Sequence, residues 1–132
     1  MIKTNLESFS ERVAATALDL NVADLSDETK LRGFDIIAIL ELVQVIGQIV
    51  TAVMEMCPQQ ANLAKAVHEP SWMQKVLFRV AVSREINKLS NPKLRGMSGK
   101  IANAYFSEVA KMSEPDIAKV VEEVTILDNW LI

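Results

Sequence analysis

The sequence predicts an all-α single domain spanning 1–132, an irregular bundle of five or six helices wrapped around a long apolar helix near 35–56. Three observations predict it. Apolar residues recur at helical spacing almost everywhere, and no stretch shows the strict alternation of a half-buried strand. The four prolines stand where helices would begin or end. The chain's 132 residues, 50% of them hydrophobic and 23% charged, supply one core without metal or disulfide staples, and they are too few for two. There is no internal repeat and no low-complexity stretch, so the connections are expected to be short and the bundle tight.

The first helix, near 5–20, opens at Thr4 with Glu7 three residues on, the spacing at which side chain and backbone cap one another. It sets Leu6, Phe9, Val13, Ala17 and Leu20 against Glu7, Glu11 and Asp19, and its alanines predict close packing. The helix near 35–56 is the most informative element. Between Ile36 and Met56 its strongly polar residues are Glu41, Gln44, Gln48, Thr51 and Glu55, at intervals of 3, 4, 3 and 4. That rhythm draws a narrow polar stripe on a helix that is otherwise apolar and must be covered on most sides. A short helix follows near 59–68. Ser71 with Gln74 opens a helix near 71–90, Asn91 before Pro92 is a further start, and Ser113 with Asp116 opens the last. The two C-terminal helices, near 98–112 and 114–127, are plain amphipaths. Ile101, Tyr105, Phe106, Val109 and Met112 share a face in one, and Ile117, Val120, Val121, Val124 and Leu127 in the other.

The net charge of −3 hides a segregation. Residues 1–64 carry −5, residues 65–100 carry +6 and residues 101–132 carry −4. Two explanations fit such a pattern: contact with a polyanion, or complementarity between neighbouring surfaces. The basic candidates are Lys75, Arg79, Arg84, Lys88, Lys93, Arg95 and Lys100. Lys75 and Arg79 lie within about 40° of each other on a helix, while Arg84 and Lys88 fall on its opposite side, so they form no single stripe for a duplex. Trp72 and Phe78 occupy apolar helical positions and are assigned to the core. These considerations favour a solvated basic face that meets acidic helices of the same or another subunit.

The stripe of Glu41, Gln44, Gln48, Thr51 and Glu55 has three readings: the wet side of a core helix, the lining of a pore, or the edge of a strip through which the chain associates with itself. Lys30 and Arg32 precede the helix as an inside-positive flank would, yet Glu41 and two glutamines are costly in lipid.

Other motifs dissolve on inspection. Gly96 to Lys100 resembles part of a phosphate-binding loop, but Leu94 stands where its first glycine belongs and Ile101 where its serine or threonine belongs. The local reading is that Gly96 ends one helix, Ser98 or Gly99 opens the next, and Lys100 is on the surface. His68 and Cys57 lack the further ligands of a zinc site and the third group of a nucleophilic triad. His68 reads as a helix C-terminal residue and Cys57 as a packed one. Glu122 and Glu123 are about 100° apart and line no cleft, and no Glu-x-x-His spacing marks a di-iron bundle.

The expected function is therefore a non-enzymatic structural or assembly protein acting through protein contacts as a homo-oligomer, of the kind found among virus and phage assembly components. The alternatives are a nucleic-acid accessory protein using the basic segment 65–100, and a membrane-active, pore- or holin-like protein. No catalytic residue, cofactor, metal or small-molecule substrate is expected. With one cysteine and no signal peptide, the expected compartment is the cytoplasm, or the virion if the chain is viral.

Overall fold

A computed structural model describes residues 3–57 and 62–131, with the side chains of 127–131 excepted. It is an all-helical bundle with no strand among the described residues. The elements are α1 (Asn5–Ala17), 3₁₀ turns at Val22–Ser26 and Glu28–Lys30, α2 (Ile36–Glu55), α3 (Leu63–His68), α4 (Trp72–Ile86), α5 (Pro92–Arg95), α6 (Ser98–Lys111) and α7 (Glu114–Leu131). The start expected near 59 for the third helix, and the side chain of Leu127, lie outside the described residues.

The capping signals operate where the sequence places them. Thr4 accepts from the Glu7 N–H, Ser71 and Gln74 cap each other reciprocally, and Ser113 accepts from the Asp116 N–H. Asn91 accepts from the backbone of Lys93 and Leu94, which turns Pro92–Arg95 into the single-turn α5. The first helix is a turn shorter than expected. It stops at Ala17 because Asp19 takes a left-handed backbone, φ 55°. The stretch after it coils into the two 3₁₀ turns, fixed by Asp24 on the Asn21 N–H and by Asp27 on Thr29. The two bonds from Thr29 hold the Asp27 carboxyl below its ordinary range. Arg32 and Gly33, at φ 52° and 91°, then reverse the chain into α2, where Asp35 caps the Ala38 N–H.

The central helix sits where the sequence predicts. Leu42, Ile46, Ile49 and Val53 of α2 are fully buried, at spacings of 4, 3 and 4. Around them pack Phe9 and Val13 of α1, Phe78, Val82 and Ile86 of α4, Ile101 and Tyr105 of α6, and Val120 and Val124 of α7. Phe9 and Tyr105 meet edge to face with centroids 5.8 Å apart, and Phe106 meets Tyr105 likewise at 5.3 Å. Burial pushes the Tyr105 phenol far above its ordinary pKa.

Two polar ties close the bundle. The Glu123 carboxylate on α7 accepts from the backbone N–H groups of Asn5 and Leu6 and from the Asn5 amide, at 2.8–3.0 Å, so the last helix satisfies free donors at the start of the first. Glu41 of α2 accepts from the backbone and hydroxyl of Ser90, pinning the corner after α4.

Gly47 sits mid-helix in α2, and a Cβ added there would meet only the Ser10 hydroxyl, at an ordinary 3.7 Å. Gly47→Ala is thus expected to stabilise the fold by about 0.5–1 kcal/mol, because alanine loses less backbone freedom in a helix. A thermal melt that moves down instead would show that this approach of α1 to α2 is tighter than described.

Candidate functional site

The feature of the molecule that its core does not absorb is the outer face of α4. Trp72, Met73, Val76, Leu77 and Val80 are all exposed, Trp72 at 78% and Met73 at 69%. At about 100° per residue the five fall on one arc roughly 140° wide. The opposite arc, Phe78, Ala81, Val82, Glu85 and Ile86, is buried. Trp72 was expected in the core with Phe78; Phe78 is there, and Trp72 is not. The helix carries two opposed apolar arcs, and the bundle covers only one.

The seven basic candidates are distributed around this face and beyond it. Lys75 and Arg79 border one side of the arc, Arg84 stands at the far end of the other border, and Lys88 follows just past the helix. Between Pro70 and Arg84 there is no acidic residue. Arg79 donates to the Asn103 side chain at 3.1 Å and lies 5.0 Å over the Phe106 ring, both neutral partners that leave its charge in place. Lys88 pairs with the buried carboxylate of Glu85. The remaining three are committed elsewhere. Lys93 lies 5.6 Å from the Phe34 ring, Arg95 donates to the Leu89 and Ser90 carbonyls, and Lys100 pairs with Asp19 at 3.5 Å. Among the described residues, Lys75 and Arg84 have neither an ion pair nor a side-chain hydrogen bond.

The polar stripe of α2 runs along the helix's uncovered side. Gln44, Gln48 and Glu55 are exposed, and Glu41 and Thr51 half-buried, with Glu41 spent on Ser90. At the N-terminal end of the same helix Ile37 and Leu40 are exposed at 76% and 60%. Leu40 belongs to a groove of about 270 Å³ that α2 forms with Val22 and Leu25 of the first 3₁₀ turn. Among the described residues α2 is the one helix long and apolar enough to cross a membrane, with mean hydropathy 2.2, and its apolar residues also form the centre of the core.

Elsewhere the buried Ser10 and Tyr105 hydroxyls have no hydrogen-bond partner, while several charged groups pair with one another. Between α1, α6 and α7 a cleft of about 380 Å³ holds Glu108, which accepts from Thr16 at 3.3 Å and pairs with Lys111 at 3.1 Å, while the Arg12 guanidinium stands 3.9 Å away. His68 ends α3 with its Nδ1 4.0 Å from the Glu69 carboxylate, and Gly96 and Ser98 end and open helices as expected. No group of three or more His, Cys, Asp or Glu suited to a metal is found among the described residues.

Cys57 is buried, and desolvation pushes its thiol above the ordinary cysteine range. It is therefore expected to react with a disulfide reagent at neutral pH at least about 100-fold more slowly than free cysteine, and fully only on unfolding. Rapid labelling of the native protein would place it at the surface. Compared with known proteins, the chain matches no family model, no curated protein and no solved structure.

Proposed function

We propose that the protein is a non-enzymatic structural or assembly protein that works by protein contact, with the outer face of α4 as its contact surface. The observation that carries this reading is the face itself: five large apolar side chains side by side, each about half exposed or more, on a helix whose other side is locked into the core. They form a patch on the order of 500 Å², near the upper end of what a soluble monomer displays. Trp and Met are also residue types enriched at the centres of protein interfaces.

The polyanion alternative has less support. Lys88 and Lys100 are spent on the carboxylates of Glu85 and Asp19, and Phe78 is in the core, which leaves Trp72 as the one exposed aromatic in the basic segment. For a pore, the apolar residues of α2 would have to leave the core that they now centre. The compartment that goes with the contact reading is the cytoplasm, or a virion if the chain is viral.

A photoreactive residue at position 76, activated in cells that make the protein, tests the reading against the same group at position 44 on the α2 stripe. Protein adducts from position 76 and none from position 44 are expected. Adducts to nucleic acid or lipid from position 76, or no adduct at all, would reject it.

A further inference from the structure

We infer that the segment seated on the outer face of α4 is an acidic amphipathic helix of another protein, laid along the stripe from Trp72 to Val80 with its carboxylates against the basic border. The inference rests on the contact reading above and adds the chemistry of the partner. Three observations carry it.

The first is charge. From Pro70 to Arg84 the chain carries Lys75, Arg79 and Arg84 and no acid, a net charge of +3. All three side chains are exposed. Lys75 and Arg79 run along one side of the apolar stripe, and Arg84 stands one turn beyond Val80. Among the described residues Lys75 and Arg84 have no ion pair, and Arg79 meets only the Asn103 amide and the Phe106 ring, so none of the three charges is neutralised. Of the acids nearest in sequence, Glu85 is buried against Lys88, and Glu69 lies before the helix start, 4.0 Å from the His68 ring. A cationic segment is therefore repelled from this face and an anionic one drawn to it.

The second is the backbone. The peptide groups of α4 are used by the helix itself, so its outer face offers side chains alone and no edge to which a strand could add. An extended segment laid on the apolar stripe would leave its own N–H and C=O groups unpaired there, whereas a helix satisfies them internally. Trp72, Val76 and Val80 form one row at spacings of four, and Met73 and Leu77 form a second. The furrow between the two rows accepts the corresponding row of a partner helix.

The third is extent. The stripe is about 12 Å long, and a patch on the order of 500 Å² is smaller than the ~800 Å² per partner of a stable interface between folded domains. It suits one short helix, held weakly and reversibly. A bilayer would instead meet a whole flank of the molecule, whose net charge of −3 opposes anionic lipid, whereas a single helix meets α4 alone. The chain's own acidic helices α1 and α7 have their apolar faces in the core, which leaves the segment to another protein.

The test uses the full chain and a fluorescein-labelled synthetic helix of about four turns, with leucine on one face and glutamate along both flanks. A twin peptide carries lysine in place of every glutamate. By anisotropy the glutamate peptide is expected to bind with a Kd on the order of 10–300 µM at low salt, and about tenfold more weakly once the salt is raised to about 500 mM. The lysine twin should bind at least about tenfold more weakly than the glutamate peptide. Val76→Asp, at an exposed position, should weaken the glutamate peptide by about tenfold or more, with an unchanged circular dichroism melt. Lys75→Glu combined with Arg84→Glu should reverse the preference, so that the lysine twin binds the tighter, a gain that a misfolded protein does not produce. Should that pair fail to fold, Lys75→Gln with Arg84→Gln should bring the two peptides level. Equal binding of both peptides to the wild type, no binding of either up to about 1 mM, or glutamate-peptide binding untouched by Val76→Asp would overturn the inference. So would attachment to phosphatidylserine vesicles in place of the peptide, which would give the face to a membrane. The contact reading would outlive that failure if position 76 crosslinks in cells to a protein through a segment without acidic flanks, and would fall with it if position 76 crosslinks to lipid or to nothing.

Discussion

Phe9→Ala is expected to cost about 3–5 kcal/mol of stability, the range for emptying a buried phenylalanine site. The side chain is 2% exposed, and it joins α1 to α6 through its edge-to-face contact with Tyr105. Because a domain's whole stability is about 5–15 kcal/mol, about a fifth or more of it depends on this ring. For a chain of this size the melting temperature should fall by roughly 10–20 °C, read at the helical dichroism band. Phe9→Leu, which keeps most of the volume, should cost about 1–1.5 kcal/mol. A loss below about 1 kcal/mol for the alanine variant would mean that α1 does not dock on α6 through this contact.

The second large effect is a contrast within α2. Ile46 is fully buried, and Gln48, two residues on, is exposed on the stripe. Ile46→Asp buries a carboxylate with no partner and is expected to cost more than about 4 kcal/mol, enough to leave the chain unfolded near 37 °C. Gln48→Asp should change stability by no more than about 0.5 kcal/mol. In a pore Ile46→Asp would again be the more damaging, facing lipid while Gln48 faces water, but both proteins would fold only in detergent. Dichroism of the two variants in plain buffer separates the cases, and equal damage from both substitutions would contradict the core assignment.

The fold was legible where local chemistry and burial point the same way. Thr4, Ser71, Asn91 and Ser113 each offer an acceptor just before an apolar rhythm, and each caps a helix start. The buried faces of α6 and α7 follow from spacing alone, because each of those helices has one apolar arc. The ends of helices were harder to place. Asp19 stops α1 through a backbone angle that no neighbouring residue announces, and α4 ends at Ile86 rather than near 90. Past that end Leu89 turns into the core and Ser90 is held by Glu41 from a distant element. The outer face of α4 was hidden by the assumption that serves elsewhere, that apolar residues at helical spacing point inward. Its signal was nonetheless present. Phe78, Ala81, Val82 and Ile86 already complete a core arc, so Trp72, Met73, Val76, Leu77 and Val80 make a second one, and a helix near the edge of a small bundle cannot bury both. The groove beside α2 left no such trace, since it depends on 3₁₀ turns that hydrophobic periodicity does not register.

The bond from Glu123 to the start of α1 has a kinetic meaning. It joins residues 117 and 118 positions apart, among the most distant pairings in the chain, and its bonds are gained only once so long a loop has been closed. During synthesis α1 is made first, yet the acceptor for its first amides arrives only with α7. The N-terminal turn must therefore wait for the helix made last among its neighbours, and this clasp is expected to fasten late in folding. Loss of the Glu123 carboxylate would then leave the folding rate nearly unchanged and appear as faster unfolding, so the clasp governs how long the native protein lasts rather than how quickly it forms.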